Sequence, residues 1–208
     1  LHNDWHFRGD NRLYWTSQKT YGLGTDTTEG DAVDQKYDYF RFYETLYRQV
    51  GRNFYLGGGF LYSNHTDVRP ADDDASAAWP DSPYVEHSEK YGFDPESQSS
   101  AGFSVHALLD SRDGAINPSR GLYARLSYQM FFEDFLGGTS DWQLLSYDAR
   151  TYLRLSRDAR HKLAFWLSGD FVTGGGTAPY LDLPATGTDT YGRAGRGYPQ
   201  GRFRGESL

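Results

Sequence analysis

Near the C-terminus, the stretch Tyr191-Gly192-Arg193-Ala194-Gly195-Arg196-Gly197-Tyr198-Pro199-Gln200-Gly201-Arg202-Phe203-Arg204-Gly205 sets four arginines and five glycines into fifteen residues. Arginine brings a permanent charge and a fork of donors, and glycine lets the backbone turn tightly. Such a segment can press into a polar interior and hold acceptors there. Composition alone favours a solvated loop, and arginine-glycine segments also bind single-stranded nucleic acid. A net charge of -7 and a pI near 5.3 make a poor footprint for nucleic acid, which is not expected as a partner.

A second charged cluster is Asp110-Ser111-Arg112-Asp113, followed by Asn117-Pro118-Ser119-Arg120-Gly121. Carboxylates accept backbone N–H groups, Arg112 can pair with either aspartate, Pro118 fixes one dihedral and Gly121 lets the chain re-enter a sheet. These residues read as a structural turn motif rather than a chemical site. Elsewhere the chain offers little to a catalyst. There is no Gly-x-Ser-x-Gly, no His-Glu-x-x-His and no phosphate-binding glycine loop before a helix. The histidines at 2, 6, 65, 87, 106 and 161 lack ligand spacing, and cysteine is absent. Neither catalysis, nor a metal, nor a cofactor is expected.

The elements that must position these clusters alternate. Leu122, Ala124, Leu126, Tyr128 and Met130 oppose Tyr123, Arg125, Ser127 and Gln129. The same period of two runs through 102–110, 143–154 and 162–171, the last opposing Leu163, Phe165, Leu167 and Phe171 to Ala164, Trp166, Ser168 and Asp170. Aromatic residues make up 17% of the chain, yet mean hydropathy is -0.73 and no run approaches the ~20 apolar residues of a spanning helix. Strands that alternate lipid-facing and lumen-facing residues reconcile the two facts. Connections alternate too: 50–53, 111–120 and 156–161 are short to moderate, whereas 66–100, 133–140 and 174–204 are mostly long. Outer-membrane barrels have this pattern. The loop 66–100, with Asp72-Asp73-Asp74 among nine acidic residues, lacks EF-hand spacing and reads as a solvated surface loop. Asn64-His65-Thr66 fits a glycosylation acceptor, which an outer-membrane reading makes incidental.

Taken in order, these motifs resemble the Omp85 superfamily, the bacterial surface antigen barrels that include the BamA and TamA insertases and the two-partner secretion transporters. The family's Asp-x-Arg-Asp turn corresponds to Asp110-Ser111-Arg112-Asp113, and its Pro-x-x-Gly to Pro118-Ser119-Arg120-Gly121. Three strands, at 121–132, 141–155 and 162–172, then precede a long loop bearing Arg196-Gly197-Tyr198. Tyr21-Gly22-Leu23-Gly24 and Phe54-Tyr55-Leu56-Gly57-Gly58-Gly59 look like upstream strand signatures. Gly195 departs from the aliphatic residue that many members place before the arginine.

The resemblance implies an all-β fold, an antiparallel transmembrane β-barrel of which about eight strands of sixteen are present, with residues 1–208 truncated at both ends. It implies that Arg196, Gly197 and Tyr198 anchor the loop in the barrel lumen, against strands that follow. The implied location is the bacterial outer membrane. The implied partners are outer-membrane lipids, client β-barrel or secreted proteins, and periplasmic assembly partners, with POTRA domains outside the sequence. The implied function is assistance in inserting, assembling or translocating other proteins; the alternative is a barrel anchoring a patatin-like phospholipase or another fused enzyme. A soluble, carbohydrate-binding aromatic β-protein is the third reading.

Overall fold

Alternation at period two asks for strands with unlike faces, and the computed structural model, which describes residues 4–156, 161–189 and 195–208, realises it throughout. The strands are β1 (Trp5–Thr20), β2 (Val33–Gly51), β3 (Phe54–Pro70), β4 (Ser97–Asp110), β5 (Gly121–Phe131), β6 (Trp142–Arg154) and β7 (Lys162–Thr173). They form one antiparallel sheet in chain order, β1 to β7. Among the described residues the full strands number seven, against about eight expected. A further short ladder explains the difference: Glu206 to Leu208 bond to β7, with Val172 N–H donating to Glu206 O at 2.6 Å and Leu208 N–H to Asp170 O at 2.9 Å.

The two faces of the sheet differ as the alternation requires. Leu126, Phe165, Leu167, Phe103, Val105, Leu46 and Phe7 are exposed on the outer face. Opposite them, Ser63, His65, Ser100, Ser104, His106, Ser127 and Ser146 are buried on the inner face. A soluble sheet would place its apolar side inward. This one is inverted, as a barrel in lipid must be.

β1, β2 and β3 are 16, 19 and 17 residues long, more than a bilayer crossing of ~9 to 11 residues needs. On β2 and β3 the surplus lies at the end where the long connections emerge, and there it carries two helices. These are α1 (Asp73–Ala78) and α2 (Pro83–Tyr91). The loop 66–100 is thus largely strand and helix, with Ala75, Tyr84, Val85 and His87 buried, and is not a solvated surface loop. Its local causes are plain. The Asp72 carboxylate caps α1 by accepting the Ala75 N–H at 2.8 Å, and the Ser82 hydroxyl caps α2 from Val85. Pro83 occupies the first turn, and Gly92 ends the helix at φ 73. Tyr21-Gly22-Leu23-Gly24 also falls outside a strand, just beyond β1, where both glycines have positive φ.

Candidate functional site

The inner face of the sheet is polar, so anything packed there must satisfy donors and acceptors as well as fill space. The segment that does so is the connection after β7. It returns over the inner face and touches both outer strands. Arg12 on β1 donates to Thr188 O at 3.5 Å, while Glu206 and Leu208 lie along β7. One loop reaching both edges requires the sheet to curl around it.

Residues 177–185 are the heart of this loop. Tyr180 and Leu181 pack into a cluster with Tyr37, Tyr39, Val68, Tyr84 and Val85, while Ala178 and Leu183 join Leu61, Phe131 and Trp142 in a second cluster. Both apolar clusters of the inner face therefore include loop residues. Tyr180 also carries its hydroxyl to the end of β1, accepting from Thr20 Oγ1 at 2.7 Å and from Gly22 N–H at 3.2 Å. From the outer end, α2 covers the loop: Tyr84 meets Tyr180 edge to face at 5.9 Å, and His87 Nε2 lies 3.0 Å from Ala178 O. Burial lowers the His87 pKa, with the nearby Ala178 carbonyl opposing that effect.

Asp182 is the polar hub. Its side chain is 3% exposed and accepts from Ser100 Oγ at 2.6 Å and Ser63 Oγ at 3.4 Å. Trp142 Nε1 donates to the same Ser100 Oγ at 3.1 Å, so β3, β4 and β6 converge on one loop carboxylate. His65 Nδ1 stands 3.9 Å away, its ring stacked on Tyr39 at 4.5 Å. A buried carboxylate that accepts two hydroxyls is a lock on the loop's position.

The arginine-glycine stretch supplies the second lock, through a residue that sequence reasoning did not single out. Arg204 is 4% exposed, and its Nη1 donates to the carbonyls of Tyr180 at 2.7 Å, Leu181 at 3.0 Å and Leu183 at 3.3 Å. Its guanidinium lies over the Tyr180 ring at 4.9 Å. Arg202 holds the β1–β2 connection by donating to Thr27 Oγ1 at 2.8 Å and to the Thr27 carbonyl at 2.5 Å. Arg196, Gly197 and Tyr198 are exposed. Gly197 has φ 95, Tyr198 N–H bonds Gly195 O at 3.0 Å, and the Tyr198 ring meets Phe203 at 5.0 Å. Arg193 lies outside the described residues.

The turn residues come together at the opposite end of the sheet. Arg112 pairs bidentately with Asp110, Nε to Oδ1 at 2.8 Å and Nη2 to Oδ2 at 2.7 Å, and lies over Tyr123 at 4.6 Å. That pairing raises the Arg112 pKa. Asp113 Oδ1 accepts the N–H of Ser119 at 2.8 Å and of Arg120 at 3.2 Å, which holds its pKa below the usual carboxylate range. Gly121 sits at φ 111, where an added Cβ would fall 2.5 Å from Ser111 O, and Lys162 donates to Pro118 O at 3.2 Å. Among the described residues no group of three metal-ligating side chains occurs.

A curled antiparallel sheet with an apolar outside, a polar inside and a loop folded within defines a membrane β-barrel protein. A model of the Omp85 superfamily domain matches residues 10–189; the chain belongs to that superfamily and is a bacterial outer-membrane protein. Its fold is similar to the crystal structure of BamA from Haemophilus ducreyi lacking POTRA domains 1-3, with a TM-score of 0.58 and 14% identity. The overlap covers 91% of this chain and 34% of that one, so the chain spans about a third of that structure's length. A search of curated proteins found no match.

Proposed function

We propose that these residues are the wall and return loop of a barrel that assists the insertion, assembly or translocation of other proteins at the outer membrane. The observation that carries this reading is that residues 174–189 and 195–205 fold onto the inner face of an Omp85-superfamily sheet, held by Asp182 and Arg204. The mechanism is not covalent. A barrel seam that opens offers an unpaired strand edge, and an incoming β-rich client pairs with it through backbone hydrogen bonds. The wall described here has to stay closed while that happens, and a loop tied to β1, β3, β4 and β7 braces it. In the same reading Arg196-Gly197-Tyr198 faces strands of the parent barrel that follow Leu208. There the Arg196 guanidinium engages carboxylates bidentately, which lysine reproduces poorly.

The test uses the full-length protein in cells depleted of the native copy. Arg196→Ala and Asp182→Ala should each lower the yield of folded client barrels in the outer membrane, with Arg196→Lys between Arg196→Ala and the parent. Unchanged client assembly in the depleted strain, with loss of a lipid-hydrolysing activity instead, would replace this reading with that of an enzyme anchor.

A further inference from the structure

On the outer face of β1 and β2 one group breaks the apolar rule. Trp5 and Trp15 are exposed on β1 and bracket ten residue steps, which at about 3.3 Å per residue and a tilt of about 40° is roughly the 25 Å height of a lipid-facing band. Asn11 and Glu44 lie midway between these tryptophans. Glu44 pairs across with Gly9 on one side and Phe60 on the other, and Asn11 pairs with Phe42. Exposed Phe7, Leu13, Phe42 and Leu46 surround the pair.

The Asn11 amide donates to Glu44 Oε1 at 2.6 Å, and the carboxylate lies over Gly9, where an added Cβ would stand 2.9 Å from Oε2. Glu44 Oε2 is buried without a hydrogen-bond partner. Asn11 itself is exposed, and its amide has a second N–H to give. A carboxylate with this little support costs free energy in the middle of a bilayer, and such groups mark functional sites. Lipid headgroups stay at the edge of the band and water-soluble proteins stay outside it, so the occupant is another membrane span.

We propose that this polar notch is a lateral interface with a second copy of the protein. The pair is complementary to itself. A two-fold axis along the membrane normal keeps every residue at its own depth and reverses left and right, so Asn11 of each copy meets Glu44 of the other. Each carboxylate then faces a neutral amide rather than its own counterpart, and each spare amide N–H gains an acceptor. Gly9 and the exposed Gly58, with no side chains, keep the surrounding face low enough for two sheets to approach. The inference rests on membrane residence alone and stands whether or not the barrel assembles clients.

Cysteine scanning tests it, because the chain has no cysteine of its own. In the full-length protein in outer membranes, with any cysteine elsewhere changed to serine, Phe42→Cys and Leu46→Cys flank the notch and Leu126→Cys is a lipid-facing control. Mild oxidation should give disulfide-linked homodimers at 42 and 46 and few or none at 126. Adding Glu44→Leu should abolish those dimers while the barrel keeps its heat-modifiable mobility; adding Asn11→Leu should do the same, and Glu44→Gln should retain most of them. Equal cross-linking at all three positions would overturn the proposal, as would notch dimers indifferent to Glu44→Leu and Asn11→Leu. Cross-links only to a different membrane protein would also overturn it, in favour of a heterologous partner.

Discussion

Two connections of this chain use the same residue types, arginine, aspartate and glycine, and put them to different physical ends. In the turn 111–120 the Arg112 guanidinium pairs with the Asp110 carboxylate near solvent, and Asp113 ties down its own backbone. In the return loop Arg204 is buried and meets three carbonyls, while Asp182, equally buried, meets two serine hydroxyls. The turn is local and replaceable. The loop is tied to strands far away in sequence, and its ties are desolvated, so each is expensive to break.

A reference outside both connections sets the scale. Leu126→Arg or Phe165→Arg, near mid-strand on the lipid face, should cost about 2 to 4 kcal/mol in the full barrel, measured by refolding from urea into lipid. Refolding equal to the parent would mean the faces are reversed. Within the comparison Arg204→Ala should have the next largest effect, about 2 to 3 kcal/mol, because three buried carbonyls lose a charged donor. The denaturant midpoint for release of the loop reports it. Asp182→Ala should cost about 1 to 2 kcal/mol by orphaning Ser63 and Ser100. A less than additive loss on combining it with Ser100→Ala would sharpen the assignment of Ser100 as the main partner.

The cap over the loop should respond to acid. Burial lowers the His87 pKa, so the closed cap holds this histidine neutral, and an opened one binds a proton near the ordinary value of about 6.5. Its contribution is therefore complete above that pH and shrinks as pH falls below it. Protection from hydrogen exchange across 82–92, relative to the intrinsic rate at each pH, should fall at mildly acidic pH in the parent and change less in His87→Gln. The smallest effect belongs to the turn. The Asp113 side chain is partly exposed and its pKa is lowered, so it stabilises the turn above the usual carboxylate range and ceases to do so as pH falls through the lowered value. Asp113→Ala should slightly reduce heat resistance without altering client assembly, as read from gel mobility after stepwise heating. Lost assembly at unchanged heat resistance would make the turn a functional site.

The strands were legible because lipid and lumen impose opposite tastes on alternate residues, and Leu126 and Phe165 face outward as the pattern requires. The helices α1 and α2 were missed, although Asp72, Ser82-Pro83 and Gly92 are ordinary helix-end signals. An acidic, proline-containing stretch reads as solvated, and only the loop beneath supplies what Tyr84 and His87 bury themselves against. The site was half legible. The arginine-glycine stretch pointed to the right loop, but period and motif say nothing about which guanidinium goes inside. Arg204 is chosen by the tight fold at 180–183, whose carbonyls converge on one point, and nothing in the local sequence announces that convergence. Asp182 had no signal at all: its partners Ser63 and Ser100 are small polar residues on two other strands.

Protease access to the loop tests the central claim, that buried ties within the barrel hold it. Chymotrypsin added to intact outer membranes can cut after Tyr180 or Leu181, which are 1% and 8% exposed. The parent and Arg112→Ala should resist cleavage there, while Arg204→Ala should be cut rapidly with its strands intact. Equal cleavage of the parent and Arg204→Ala at these two residues would contradict it.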